Sequence, residues 1–338
     1  MPNSLSRERL VSLLDAAKDQ RVAVVGDAML DVYLIGDAER ISPEAPVPVV
    51  RVRERRYALG GAANVAQNVC AIGATCSLVG AVGADAGGAT LRNMLDTMSV
   101  HADHLVAVDR PTTTKTRVVA RSQQMVRVDE EEDRDLESGE VSRLLEAVHS
   151  AIAQADALVL EDYNKGVLVG EVIAQAIMWA RERGIPIVVD PKYRNFFAYR
   201  GATVFKPNRR ELEAALGAAI NLDDAQALPE TFKRLGVEHL LLTLGERGMA
   251  LLSNDGSVLR VPTMAREVYD VVGAGDTVTA YLSATLAAGA TASEAAVIAN
   301  FAAGVEVGKL GAATVTPAEV LASYDAFVAG QNRAVDKS

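Results

Sequence analysis

Cysteine is nearly absent. The 338 residues include two, Cys70 on an apolar helical stretch and Cys76 in an apolar strand, with no spacing that suits zinc or a redox pair. Both read as buried bystanders. The four histidines offer one close pair, His101 and His104, set in a polar connection without further ligands, which argues against a metal site. Basic excess is missing too: 34 Lys and Arg against 44 Asp and Glu give a formal charge of -10 and a pI near 5.1. Such a chain lacks the long-range attraction that nucleic acids and anionic membrane surfaces ask of a partner. No apolar run is long enough to span a bilayer, and the amphipathic stretch 7–18 has no signal-peptide core. The expectation is a cytoplasmic small-molecule enzyme, with neither nucleic acid nor membrane as partner. Two nucleotide motifs are lacking as well. Gly26-Asp-Ala-Met does not supply the Gly-x-Gly-x-x-Gly of a nicotinamide dinucleotide site, and residues 304–310 have the wrong spacing for a P-loop and no Ser or Thr for magnesium.

What is present is a large apolar complement, 49% of residues, in a chain of one- or two-domain length. Residues 21–27 read as a buried first strand, and 157–160, 186–189, 203–205 and 239–243 are further apolar runs separated by helical pattern. That alternation predicts an α/β fold with a parallel sheet covered by helices on both faces. Polar residues crowd the carboxyl edge: Glu161, Asp162, Asn164 and Lys165; Asp190, Lys192 and Arg194; Lys206, Asn208 and Glu211; Thr243, Gly245 and Gly248. Ligands of open α/β sheets collect at that edge, so each loop is a site candidate. Asp27 and Asp31 sit there after the first strand, where two carboxylates can hold sugar hydroxyls; the alternative is a turn built on Asp27 and a solvated Asp31. Asn208 and Glu211, three apart at a helix start, also read as a capping box.

The stretch 270–277, Asp-Val-Val-Gly-Ala-Gly-Asp-Thr, carries the chemistry. Residues 267–269 read as a strand end before it, and a helix closed by Gly289 follows, so Asp276 sits where a helix begins. Gly273, Ala274 and Gly275 leave successive N–H groups and the positive helix end facing any ligand, which suits an anion. A carboxylate there repels a resting phosphate but can take the proton of an attacking hydroxyl while the amides stabilise the transferred phosphoryl group. Asp276 is then base and the glycine turn an anion hole; the plain alternative is a helix cap on a tight connection.

Between strands and helices lies a different pattern. Residues 33–57 are polar and broken by Pro43, Pro46 and Pro48, and 47–53 alternate like an exposed strand. In 112–127, period two puts Lys115, Arg117, Arg121, Gln123 and Arg127 on one face. These strands predict a small separate sheet at about 33–57 and 111–128, its basic face either ligand-binding or a protected edge. Gly60 and Gly61 lead into a helix whose Val65, Val69 and Ile72 face the core, with Asn64 in the first turn, where an amide can serve two hydroxyls or the turn simply caps the helix.

Residues 270–277, together with 60–73 and 78–85, resemble the two signatures of the ribokinase-like, or PfkB, carbohydrate kinases, in the right order and spanning most of the chain. The resemblance implies a single three-layer α/β/α kinase domain over 1–338 with the small sheet as a lid and often a dimer contact. It implies sugar binding by Asp31 with Asp27, and by Gly60, Gly61 and Asn64. It also implies nucleotide contacts from Thr243, Gly245, Gly248 and Asn300, for which core packing is the alternative at Asn300. Asn208 and Glu211 would lie beside ATP phosphates and Mg2+, through water, and Asp270 with the carbonyls around Val272 would hold K+.

Residues 26–33, 40–50, 123–129 and 267–277 together look like the D-glycero-β-D-manno-heptose 7-phosphate kinases, which form the 1,7-bisphosphate on the route to ADP-heptose. A sugar already bearing a phosphate needs a second anion site, for which Lys115, Arg117, Lys165, Lys192 and Arg194 are available, with Gln123 and Asp162 nearby in the substrate set. Many relatives carry a fused nucleotidyltransferase; here the expectation is a kinase alone. A kinase for ribose or a fructose-type sugar, or a sugar-binding regulator on the same scaffold, are the rival readings.

Overall fold

The computed structural model describes residues 5–98, 100–121, 123–222, 228–265 and 268–335. Its strands are β1 Arg21–Gly26, β2 Ala28–Ile41, β3 Pro48–Gly61, β4 Thr75–Gly83, β5 Leu105–Val108, β6 Thr114–Ala120, β7 Gln123–Glu130, β8 Ala157–Glu161, β9 Ile187–Asp190, β10 Val204–Phe205, β11 His239–Thr243, β12 Met249–Ser253 and β13 Val258–Val261. Its helices are α1 Arg7–Ala17, α2 Ala62–Ile72, α3 Ala86–Thr97, α4 Ser138–Gln154, α5 Gly170–Glu182, α6 Arg209–Leu216, α7 Leu228–Leu235, α8 Ala274–Ala287, α9 Ala292–Glu306 and α10 Pro317–Val335.

Alternation along the strands builds two cores. Val22 and Val24 of β1, Val159 of β8 and Leu241 of β11 face one side, where α1, α2, α8 and α9 bring Leu13, Val65, Leu282 and Phe301. Ala23, Val25, Leu158, Leu160, Leu240 and Leu242 face the other, against Leu144 and Val148 of α4 and Ile173 of α5. Strands buried on both faces read as continuous apolar runs, as expected of a parallel sheet between helical layers. The sheet order is β13-β12-β11-β10-β9-β8-β1-β4-β5, parallel from β5 through β11 and antiparallel at β12 and β13. From β1 the chain first builds outward through β4 and β5, then returns to the other side of β1 at β8. The junction of β1 and β8 is therefore the switch point, where connections diverge and leave a crevice at the carboxyl edge. Among the described residues no helix is long and apolar enough to cross a membrane.

The second sheet has the order β3-β2-β6-β7. It is longer than the expected 33–57 and 111–128, because β2 starts one residue after Asp27 and β3 runs through Gly61. Asp31 and the glycine pair are thus strand residues, with Gly60 opposite Met29 and Asp31 between Ala58 and Lys115. The single basic face expected over 112–127 also changes. The chain reverses at Arg121, whose φ is 50°. Lys115 and Arg117 share a face, and Arg127 joins them as the cross-strand partner of Arg117, but Gln123 pairs with Ala120 at the far end of the hairpin. Nor is there a strand end before the anion-binding turn: Glu267 lies outside the described residues, and Val268 and Tyr269 form a loop, 62% and 70% exposed.

Candidate active site

Gly273, with φ 95°, caps α8, and a Cβ there would stand 3.1 Å from the Asn64 side chain and 3.2 Å from the Ala312 backbone. Only glycine fits comfortably. The free N–H groups of the first helical turn follow it, and Asp276 is the third residue of that turn. The residue is 6% exposed. One oxygen accepts from Asn64 Nδ2 at 2.5 Å, the other from the Tyr163 hydroxyl at 3.0 Å. Asn64 has no freedom to turn away, since Gln67 Nε2 and Asn68 Nδ2 donate to its Oδ1 at 2.6 and 3.3 Å and hold its amine toward Asp276. Burial, and then the charge of Asp190, push Asp276 up to about 6, against the pull of Asn64, Lys206 and Tyr163. A carboxylate so held is ionised at neutral pH and still basic enough to take a proton.

The strand ends beneath it supply three groups noted in the sequence at the carboxyl edge but given no role there. Glu161 ends β8 and Asp190 ends β9, paired in register, and Lys206 follows β10. Lys206 Nζ is 2.8 Å from Asp190 Oδ2, and a Cβ on Gly275 would lie 3.5 Å from that ammonium. An ammonium thus sits directly under the glycine turn. The signal was available: all three are the first polar residue after consecutive apolar runs. Tyr163, two residues beyond Glu161, had no sequence pattern pointing to it.

Two carboxylates assigned to substrate are occupied otherwise. Asp27 is 1% exposed, and its oxygens accept from the backbone N–H groups of Tyr163, Lys165 and Val167 at 2.7, 3.0 and 3.3 Å. Burial foremost raises it to about 6. Asp162 accepts from the Asn164 N–H and the Tyr199 hydroxyl, both at 2.7 Å. Both shape the β8 loop. Asp31 faces the lid instead, 2.6 Å from Arg117, whose guanidinium lies over the Tyr33 ring. Gly60 packs against that same carboxylate, and Gly61 against the Asp27 carbonyl. Lys115 and Lys165 converge on one carboxylate, Glu131, at 2.9 and 2.8 Å; although partial burial opposes it, they hold Glu131 below its ordinary range. Lys192 turns elsewhere, to Glu211 at 2.7 Å and over the Tyr163 ring, and Arg194 pairs with Asp133. Gln123 is brought to none of them.

On the other side of the turn is a cleft of about 710 Å3 lined by Asn208, Thr243, Gly245, Gly248, Gly275 and Asn300 among mostly apolar neighbours, a size and character that suit a nucleotide. Asn208 and Glu211 do form the capping box, at 2.9 and 2.8 Å. Asn300 donates to the Pro262 carbonyl at 2.8 Å, holding the end of β13 while it lines the cleft. Asp270 accepts from the N–H groups of Val272 and Gly311, tying the exposed loop to the one after α9. Glu306, at the end of α9, is fully buried with both oxygens unpartnered; burial, then Asp270 and Asp276, push it up to about 8.

The model of the pfkB family carbohydrate kinases matches residues 19–319. The chain is 47% identical over 306 residues to the bifunctional protein HldE of Rhodospirillum rubrum, covering 90% of this chain and 62% of that protein. It is 48% identical over 307 residues to that of Azorhizobium caulinodans, covering 90% and 64%. It therefore spans under two thirds of the length of these relatives. The fold is similar to that of Arabidopsis thaliana ribokinase complexed with ribose and ATP, with a TM-score of 0.70, 22% identity, and coverage of 90% and 98%. The chain therefore belongs to the PfkB family of carbohydrate kinases.

Proposed function

We propose that this sugar kinase transfers the γ-phosphoryl group of ATP to O1 of D-glycero-β-D-manno-heptose 7-phosphate, in the cytoplasm, as a homodimer joined through its lids. The observation that carries phosphoryl transfer is Asp276 itself: buried at a helix start, oriented by Asn64 and Tyr163, and raised to about 6. Asp276 takes the O1 proton as that oxygen attacks in line, and the backbone N–H groups of the Gly273, Ala274 and Gly275 turn hold the phosphoryl oxygens, with Lys206 beneath. Asn208, which lines the nucleotide cleft, and Glu211, hydrogen-bonded to it, offer the hard oxygen donors that Mg2+ takes through water. Magnesium bound with ATP neutralises phosphate oxygens. Lid closure excludes water from the transfer.

Support for a phosphorylated sugar comes from Lys115 on the lid and Lys165 on the β8 loop, two ammoniums that converge on the Glu131 carboxylate. A phosphate that displaced Glu131 would meet both ammoniums. Support for the heptose comes from the resemblance of stretches 26–33, 40–50, 123–129 and 267–277. An ADP-release assay with heptose 7-phosphate, ribose and fructose phosphates tests both. The expected outcome is at least about a hundredfold preference in kcat/KM for heptose 7-phosphate; preference for an unphosphorylated sugar refutes the reading. The family resemblance is the support for K+ held by Asp270 and the carbonyls around Val272; potassium should then raise the rate where lithium does not, and indifference to both counts against it.

A further inference from the structure

Three carboxylates meet under the anion-binding turn. One oxygen each from Glu161, Asp190 and Asp276 lies within 4.8 Å of the other two, and all three residues are buried. Two of the three have partners: Asn64 and Tyr163 donate to Asp276, and Lys206 to Asp190. Glu161 has none. It is 0% exposed, and neither carboxylate oxygen finds a hydrogen-bond partner among the described residues. A buried carboxylate without a partner is a costly arrangement, normally relieved by a counter-charge or a coordinated ion.

The surroundings define what would relieve it. The three acids face Lys206, bonded to Asp190, and feel the charge of Lys192, whose own ion pair is with Glu211, so negative charge still exceeds positive if all four carboxylates are ionised. Every donor is an oxygen, with no imidazole or thiolate at hand, which is the ligand set of a hard divalent cation. A carboxylate has about four acceptor positions, so Asp276 and Asp190 can ligate while keeping their present partners.

We propose that Glu161, Asp190 and Asp276 form a site for one divalent cation of the Mg2+ or Mn2+ class that fills without nucleotide and is separate from the Asn208 and Glu211 position. The site lies beneath the backbone of the turn: a Cβ on Gly275 would stand 3.5 Å from Lys206 Nζ and 3.9 Å from Asp190 Oδ2. A cation there adds to Lys206 a second positive charge under the transferred phosphoryl group, and it fixes Asp276 from below while Asn64 and Tyr163 fix it from the sides.

The test uses the full chain without ATP or sugar, so its outcome is independent of which sugar is phosphorylated. Mn2+ is titrated in, and free Mn2+ is read by electron paramagnetic resonance for wild type, Glu161→Gln, Glu161→Ser and Glu211→Gln, each checked for a cooperative melt. The expected result is about one Mn2+ per chain, displaced by Mg2+, with affinity at least about tenfold weaker in both Glu161 variants and within about twofold of wild type in Glu211→Gln. Three results overturn the proposal: no saturable binding to wild type, which would mean that Glu161 simply keeps a proton; Glu161 variants that bind like wild type; or loss of binding in Glu211→Gln.

Discussion

A general base must be ionised before it can work, and Asp276 stands at about 6. kcat/KM should therefore rise about tenfold per pH unit below the Asp276 pKa, which a cation bound beside it would lower from this value, and level off above it. Asn64 lowers the Asp276 pKa, so Asn64→Ala should move the acid limb upward as well as slow the reaction. Unchanged limbs in that variant would detach Asn64 from the base. Asp276→Asn should keep ligand binding and lose about 10^2 to 10^4-fold in kcat; near-normal turnover would end the assignment. Glu306 behaves oppositely in stability. Its folded pKa of about 8 lies above the ordinary 4.5, so between these values the folded chain keeps a proton that the unfolded chain releases. Stability is full below about 4.5 and drains as pH rises toward 8. Glu306→Gln should thus raise the melting temperature by about 2 °C or more at pH 8 and by less at pH 5. At this scale the sequence was legible where a backbone constraint marks the residue, as at Gly273, and not where lone pairs are at issue. Nothing in Asp27 or Asp162 as letters says that their oxygens are taken by loop amides and Tyr199.

The lid shows what pattern can and cannot say about an element. Alternation announced exposed strands, yet the reversal at Arg121 came without the glycine or proline that would have marked it, and so Gln123 was placed on the wrong face. The boundaries moved for a similar reason: apart from Asp31, residues 28–33 are apolar like the core strand before them, and only the pairing of Asp31 with Lys115 shows them to be lid. Where the lid returns to the core, Gly61 has φ 56°, and a Cβ would meet the Asp27 carbonyl at 2.3 Å and Met29 Cε at 2.5 Å. Gly61→Ala should cost about 2 kcal/mol or more in urea unfolding, while Gly60→Ala, whose nearest neighbour would be the Asp31 carboxylate at 3.3 Å, should cost less and act through Asp31. Equal costs would show that the lid root tolerates a side chain.

For the whole molecule, order was the easy part, because each apolar run between helical patterns became a strand of one parallel sheet. Assembly was not, since two chains share no pattern in one sequence. The lid does leave Val126 and Val128 50% exposed on one face of β7, a strip that suits a second copy. Val126→Glu with Val128→Glu should convert a dimer to a monomer in sedimentation velocity; a wild-type chain already monomeric at tens of micromolar would dispose of the dimer. A different consequence follows from Asp27, whose carboxylate bolts the β8 loop to the end of β1 where the early and late halves of the sheet meet. Tyr163 and Lys165 ride on that loop, one reaching the base and the other the cation pair. A substitution at Asp27 would thus weaken sugar saturation and turnover together without ever touching sugar, and kinetics by themselves would record a hinge pin as a ligand contact.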